Sequence, residues 1–410
     1  MKYGHICCIF NFFDLISSFS NWKFFSRYCP CSPRSSYKRY VRRGCLMNTN
    51  KENLTLNAET ENYLKINSHW HLTYLRLKKN RYGMFGLYGV LFIFFVTIFA
   101  EFLSPHSYKK VMKNELYNPP QTIHFIDYDG NFHFRPFVYQ LVEEMDMETF
   151  EFTFTESEEM VPIKFFIRGD DYSFFGIKAN LRLFGNNDGN IHLLGTDNMG
   201  RDILSRMLVG TQITILFAVL AVSASLIIGL MVGISSGYFG GTYDLVAQRI
   251  TEFALSFPGY PLYFALVALL PRRADETVIF ILFAGIIVLL NWASIAREIR
   301  GKTFLVRNLE FVKAARALGA SRSRIMIQHI LPNTLSHVIV WTSFCIPLII
   351  LVESFLSFIG VGIQHPMVSW GVMLNQVLDI QSLARAPWMM SPVGMIIFTV
   401  LAFNAFGDGI

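Results

Sequence analysis

Most apolar residues in this chain gather in long stretches, far longer than the short alternation that marks a half-buried strand. Crossing a hydrocarbon core takes about 20 predominantly apolar residues, and such stretches fall at 82–103, 211–234, 245–270, 278–296, 335–359 and 388–406. The pattern predicts six transmembrane helices. In the third, Pro258 and Pro261 bracket Gly259 and remove backbone donors, which predicts a break or bend. Between the first two spans, residues 123–184 read differently. IHFIDYDGNFHFRPF, TFEFTFTE and PIKFFIRGDDYSFFGI alternate and carry Asp-Gly and Gly-Asp turn signals, predicting hairpins in a small β-rich unit. Its alternating aromatic residues are expected to form its core. Its acidic middle (Glu143, Glu144, Asp146, Glu148, Glu151, Glu156, Glu158, Glu159) is expected to be a solvated face.

A second polar segment, EFVKAARALGASRSRIMIQHILPN at 310–333, lies between the fourth and fifth runs. Phe311, Ala314, Ala315 and Leu318 follow helical spacing and give one apolar face, and Gly319 stands where a helix ends in the left-handed conformation. A basic helix is expected after it. Glu310, Lys313 and Ala317 share another face, the two alanines leave a shallow surface, and Arg316, Arg322 and Arg324 surround it with positive charge. Such an element is either a docking helix for a partner or an ordinary loop helix packed on its own membrane domain.

Composition supports the membrane reading. Hydrophobic residues make up 52%, charged residues 16%, and there are 39 phenylalanines, too apolar for the surface of a soluble chain of 410 residues. Charge then sets orientation. Arg76, Lys78, Lys79 and Arg81 precede the first span, and Arg297, Arg300, Lys302, Arg307, Lys313, Arg316, Arg322 and Arg324 follow the fourth; Lys and Arg excess marks cytoplasmic loops. Six crossings place both termini, the 237–244 turn and the 310–333 loop in the cytoplasm, with 104–205, 271–277 and 362–387 outside. Arg272 and Arg273 oppose this, but Asp275 and Glu276 flank them.

Five of the six cysteines (Cys7, Cys8, Cys29, Cys31, Cys45) lie in the first 46 residues without the paired spacing of a zinc module, and His124, His133 and His192 show no metal spacing. No metal site is expected. Asp14, Asn21 and Lys23 interrupt the only apolar stretch there, so neither a signal peptide nor a span is read. Met47 opens a polar leader and is the expected translation start.

Ionisable residues in or beside the spans are few. Glu353 interrupts an apolar run, where a carboxylate must face a cavity, find a partner or be protonated. It is a candidate for the transport pathway, or for a hydrogen bond between helices. Arg249 and Glu252 are spaced for an ion pair on one helix face, as are Asp197, Arg201, Asp202 and Arg206 at i, i+4. The segment holding Asp197, Gly200, Arg201 and Asp202 is either an outer gate or binding-protein contact, or a cap that fixes the start of the second span. No P-loop, HExxH or GxSxG motif occurs. A multi-pass membrane enzyme with residues scattered through its spans is the rival from a different class, and an ATP-independent channel a lesser one.

The 310–333 segment resembles the EAA loop of ABC-transporter permeases. Around it, HLLGTDNMGRDILSRMLVG at 192–210, GYFGGTYD at 237–244, LSFPGYP at 255–261, ESFLSFIGVGIQHPMVSWGVML at 353–374 and the APWMMSPVG and LAFNAFGDG stretches within 386–409 resemble the oligopeptide/dipeptide permease family in order and spacing. The resemblance covers roughly 192–410. It implies that a short coupling helix bearing Glu310, Lys313, Ala314, Ala315, Arg316, Gly319 and, at its far end, Pro332 inserts into a cleft of an ATP-binding subunit. Where the family usually has glutamate before the two alanines this chain has Lys313, and Glu310 stands one turn earlier. The implied whole is an all-α polytopic permease of the bacterial inner membrane: a cytoplasmic leader at 1–81, a first span, an extracytoplasmic β-rich insert and gate segment at 104–205, and a five-helix core at 206–410 with its coupling loop at 301–333. The implied partners are two ATP-binding cassette subunits, a homologous second permease and an extracytoplasmic solute-binding protein, in a lipid bilayer and without nucleic acid. No cofactor is expected on this chain, with ATP and magnesium held by the partners. Peptides are the expected cargo, with nickel, glutathione-like compounds and peptide antibiotics as alternatives.

Overall fold

The computed structural model describes residues 77–410 apart from 114, 146–151, 175–176, 187–188 and 272–274. The cysteine-rich start, Met47, Arg76, the Arg272 and Arg273 pair, and Asp146, Glu148 and Glu151 lie outside the described residues.

Among the described residues, five helical stretches are long and apolar enough to cross a membrane: Arg81–Leu103, Ile203–Phe239, Glu276–Val306, Arg322–Phe358 and Pro387–Gly409. The first is α1, capped by the Asn80 side chain, which accepts from the N–H groups of Tyr82 and Gly83. Its buried stripe is Gly83, Gly86, Gly89, Val90, Ile93, Val96 and Ala100. Glycines there let it lie against the last helix, α11 (Ser391–Gly409), by the close small-residue packing that membrane helices use.

The sequence-predicted third span is not one helix. It is α3 (Gly241–Ser256) and α4 (Gly259–Ala268), separated at Phe257 and Pro258, both in extended conformation. Pro258 lacks the N–H that would continue the ladder, so the expected break falls there. Pro261 is tolerated because it lies in the first turn of α4, where N–H groups are unpaired anyway. A 10-residue helix is roughly 15 Å long, half of a hydrocarbon core.

Two other helices outrun their apolar stretches at both ends. α2 (Ile203–Phe239) and α5 (Glu276–Val306) run beyond the expected 211–234 and 278–296, because helical hydrogen bonding continues through polar turns that packing against a neighbour supports. The expected separate basic helix after Gly319 is also absent as such. A short turn α7 (Arg322–Arg324) passes through a π-helical turn at Ile325–Ile330 into α8 (Leu331–Phe358), with Pro332 directly after the π-helical turn. The chain then forms α9 (Trp370–Asn375) and α10 (Ile380–Arg385) before α11.

The main core gathers Ile93, Phe217, Phe283, Ile287, Ile350, Trp370 and Phe403 from six of these elements. The strands form two antiparallel sheets, one of β1 (His124–Ile126), β2 (Phe132–Met145) and β3 (Phe152–Pro162), the other of β4 (Lys164–Phe174) and β5 (Ile177–Gly185). Val138 stands opposite Val161, and Phe165 opposite Phe184. The core of this unit is aliphatic, built on Val138, Val161, Ile163 and Ile191, with Phe137 and Tyr139 also buried. The alternating aromatics Phe125, Phe132, Phe134, Phe165 and Phe166 are exposed, contrary to the expectation that they would form it.

Candidate coupling site and outer cluster

The 310–333 loop begins with α6 (Glu310–Ala317), and Gly319 closes it at φ +82°, with Ala320 N–H donating to Ala315 O and Gly319 N–H to Arg316 O. That is the left-handed helix ending the sequence predicts. The buried side is not the one that periodicity selects. Val312 alone on α6 is fully buried, packed with Ile234, Tyr238, Ile295, Ile299, Ile325 and Ile330. Phe311, Ala314 and Leu318 face outward, Leu318 being 89% exposed, and Ala315 is half-buried. Glu310, Lys313 and Arg316 are exposed as well. The helix therefore rests on one valine and presents its small and apolar residues away from the bundle.

What holds it there comes from the ends of α2, α3 and α5. Gly237 lets α2 pass so close to α5 that an added Cβ would stand 2.7 Å from Thr303 Cβ and 2.9 Å from Arg300 O. Asp244 on α3 accepts from Arg300 Nε at 2.5 Å and Nη2 at 2.6 Å, a bidentate pair, and from the Ser236 hydroxyl. Arg307 Nη1 donates to Gly237 O at 2.8 Å and Tyr238 O at 3.3 Å. The Phe304 ring lies between Arg300 at 4.6 Å and Arg307 at 4.4 Å. Arg316 lies 5.5 Å over Tyr238, and Arg322 5.9 Å over Phe239. Cations beside ring faces are attracted by the quadrupole, so the 237–244 turn and the basic residues form one polar framework under α6. Arg249 pairs with Glu252 at 2.8 Å on exposed α3 surface, as its spacing predicts.

The 195–206 segment forms a second cluster, and it is buried. Asp197 accepts from Arg201 Nε at 2.8 Å and also from Arg206, and its Oδ1 caps the N–H groups of Met199 and Arg201. Asp202 does not pair with Arg206, as i, i+4 spacing suggested. Its Oδ2 accepts from Ser205 N–H at 2.7 Å as the cap of α2, and its Oδ1 faces His192 Nδ1 at 3.1 Å. A cap residue is extended, which turns its side chain back onto the helix N-terminus and away from the next turn. Glu115 takes the other imidazole nitrogen at 2.7 Å. Burial opposes charge on His192, yet hydrogen bonds to Asp202 and Glu115 outweigh it and carry its pKa up to about 9. His106, whose ring lies 5.4 Å away and tilted by 42°, is pushed by burial down to about 4. Gly200, at φ +69°, is buried beside Met112. These residues fix the start of α2 and tie it to the chain after α1; Asp197, Arg201 and Asp202 are at most 8% exposed.

Glu353 is fully buried on α8. Its carboxylate accepts from Ser357 Oγ at 2.8 Å and Ser354 Oγ at 3.3 Å, with Ser369 and Thr214 hydroxyls also directed to it from α9 and α2. It joins helices through hydroxyls.

Comparison with known proteins decides the family. Residues 225–410 match the model of the binding-protein-dependent transport system inner membrane component, and residues 68–120 that of the N-terminal TM domain of oligopeptide transport permease C. The oligopeptide transport system permease protein OppC of Bacillus subtilis is 35% identical over 220 residues, covering 53% of this chain and 70% of that protein. The dipeptide transport system permease protein DppC of the same organism is 30% identical over 337 residues, 82% of each chain. This chain belongs to that permease family.

The permease is thus an inner-membrane transport component of an ABC importer, not an enzyme, and its family works with ATP-binding and substrate-binding partners. The glutathione transport system permease protein GsiD of Pectobacterium atrosepticum is also similar, 36% identical over 53% of this chain and 70% of that one. Among solved structures, that of an amino acid ABC transporter with histidines covers 50% of this chain and 91% of that one at 16% identity and TM-score 0.36. Sequence reasoning missed Asp244, Arg307, Glu115 and His106 as members of the permease's two clusters. Asp244 stood out as an acid opening an apolar run after a Gly-Gly turn; Glu115 carried no signal, since its partner lies 77 residues away.

Proposed function

We propose that this permease translocates peptides delivered by an extracytoplasmic binding protein, and that α6 is its coupling helix. The observation that carries the coupling assignment is the outward apolar surface of α6, with Ala314, Leu318 and Gly319 exposed above a base fixed by Val312. A helix whose small-residue face is unpartnered in its own chain suits insertion into a cleft of an ATP-binding subunit. Lys313 replaces a carboxylate at that surface, and Glu310 supplies negative charge one turn earlier. The peptide cargo is inferred from the relatives' names, with a glutathione-like solute as the second reading because one relative carries that name.

In this reading α3 and α4 together make a sixth, broken crossing. Both termini and α6 then lie in the cytoplasm, and the strands outside. The assembly comprises a second homologous permease and two ATP-binding subunits, which hold ATP and magnesium. ATP binding closes those subunits, the coupling helices move with them, and the shared cavity opens toward a loaded binding protein; hydrolysis resets it. Asp197, Arg201 and Asp202 act as a rigid outer mount for α2, and Glu353 as a pin between helices beside the path.

Single cysteines in an otherwise cysteine-free permease test the topology. Asp129→Cys, in the exposed β1–β2 turn, is expected to react with a membrane-impermeant thiol reagent in intact spheroplasts, and Ser321→Cys only after the membrane is opened. Labelling of Ser321→Cys from outside would end the coupling assignment. Uptake of labelled peptides and of glutathione by the reconstituted complex distinguishes the two cargo readings.

A further inference from the structure

One side chain fastens the β4–β5 hairpin to the end of the first span. Arg182 on β5 is 2% exposed, and its Nη1 donates to Ser104 O at 2.9 Å, Ser104 Oγ at 2.8 Å and His106 O at 3.0 Å. Its Nη2 donates to Asp170 O at 3.3 Å on the facing strand. Ser104 is the C-cap of α1, where carbonyls are left unpaired and a cation is favoured by the helix dipole. The hairpin's height relative to α1 is therefore set by a buried guanidinium and not by a flexible linker.

Aromatic rings run along the outward side of α1 toward that junction. Phe92 and Phe95 are exposed, Phe95 lies 4.9 Å from Phe99, and Phe99 6.4 Å from Phe102. The next ring in the series is not on the helix. Phe102 lies 6.4 Å from Phe166 on β4. Phe166 is 64% exposed and its neighbour Phe165 59%, although both sit in a strand beside the span. Phe166 also holds φ +55°, an uncommon conformation for a bulky residue. Arg168, two residues on, is exposed.

We propose that Phe165 and Phe166 seat in the outer boundary of the bilayer, so that the partner of this hairpin edge is a lipid surface. Continuity decides for lipid over a protein partner: Phe166 extends the aromatic series of a membrane span at the level where that span ends, and Phe165 is the exposed residue beside it. Apolar side chains such as phenylalanine bury at the boundary between headgroups and acyl chains, with Lys or Arg beside them facing the headgroups. The β unit is then held against the membrane at two points, the Arg182 junction and the phenylalanine pair. The proposal rests on α1 being a membrane span, and not on which solute is carried.

Photo-crosslinking in the full-length chain tests it. p-Benzoylphenylalanine is placed singly at positions 92, 134, 165 and 166, membranes of defined phospholipid are irradiated, and adducts are identified by mass spectrometry. Position 92 on the exposed side of α1 is the lipid reference, and position 134, where Phe134 is 92% exposed on the other sheet, the aqueous one. Phospholipid adducts at 92, 165 and 166, at least tenfold above those at 134, are the expected result. Lipid adducts at 92 with only protein crosslinks or none at 165 and 166 would overturn the proposal. Absence of lipid adducts at 92 too would overturn it through the span on which it rests.

Discussion

Arg300 grips Asp244 with two nitrogens, Nε to Oδ1 at 2.5 Å and Nη2 to Oδ2 at 2.6 Å, and so locks the start of α3 to the extension of α5 that leads into the 310–333 loop. The pair is partly exposed, with side chains 26% and 12% accessible, so its worth to stability is limited to about 1 kcal/mol by solvent screening. Its bidentate geometry matters more, because it sets the angle at which α5 delivers α6.

Arg300→Lys keeps the charge and loses the fork. It is expected to leave membrane insertion intact while lowering peptide uptake severalfold relative to ATP hydrolysis in the reconstituted complex. An unchanged ratio of uptake to hydrolysis would show that the fork does not set coupling.

At α6 two kinds of lesion separate. Val312→Ala opens a cavity under the helix and is expected to cost about 1–2 kcal/mol by the ordinary large-to-small penalty, read as a lower unfolding midpoint. Ala314→Asp puts charge on the outward side and is expected to abolish transport with little change in that midpoint. Equal loss of stability in both variants would mean that the alanine face packs inside the chain.

In the cluster at the start of α2 the Asp197 carboxylate faces two guanidinium groups. Removing it by Asp197→Asn leaves both Arg201 and Arg206 buried without a counter-charge, an expected loss of about 3–5 kcal/mol. Arg206→Met is expected to cost less, because Asp197 keeps Arg201. Thermal unfolding of the two variants in the same detergent gives the order, and the reverse order would contradict this account of the charges.

pH acts on the same region from both sides. The His192 pKa is raised in the folded state to about 9, so its contribution is complete below the unfolded value near 6.5 and is lost as pH rises through 9. His106 is lowered to about 4, so the fold loses stability as pH falls from 6.5 toward 4, where only the unfolded chain takes up that proton. Amide exchange around Ile191 and Thr196 is expected to be slowest near pH 6.5, after correction for intrinsic rates. His192→Gln is expected to remove the alkaline limb while leaving the acid limb.

Sequence alone determined what local chemistry and hydropathy can carry. Runs of apolar residues located the five long helices, since any unpaired backbone group in hydrocarbon is costly and helix is the local remedy. Pro258 announced the break between α3 and α4, Gly319 the end of α6, and the alternation at 123–184 the strands. Motif order pointed to the permease family. Tertiary structure decided everything that depends on which surfaces meet. Periodicity on α6 selected Phe311, Ala314, Ala315 and Leu318, but the bundle offers a socket only for Val312, so the apolar face turned outward. Spacing paired Asp202 with Arg206, but capping took Asp202 to His192 and left Arg206 to Asp197. Asp244 with Arg300, and Glu115 with His192, join residues 56 and 77 positions apart. No local pattern encodes such pairs, because the energy that selects them arises only when packed helices bring both partners out of water together.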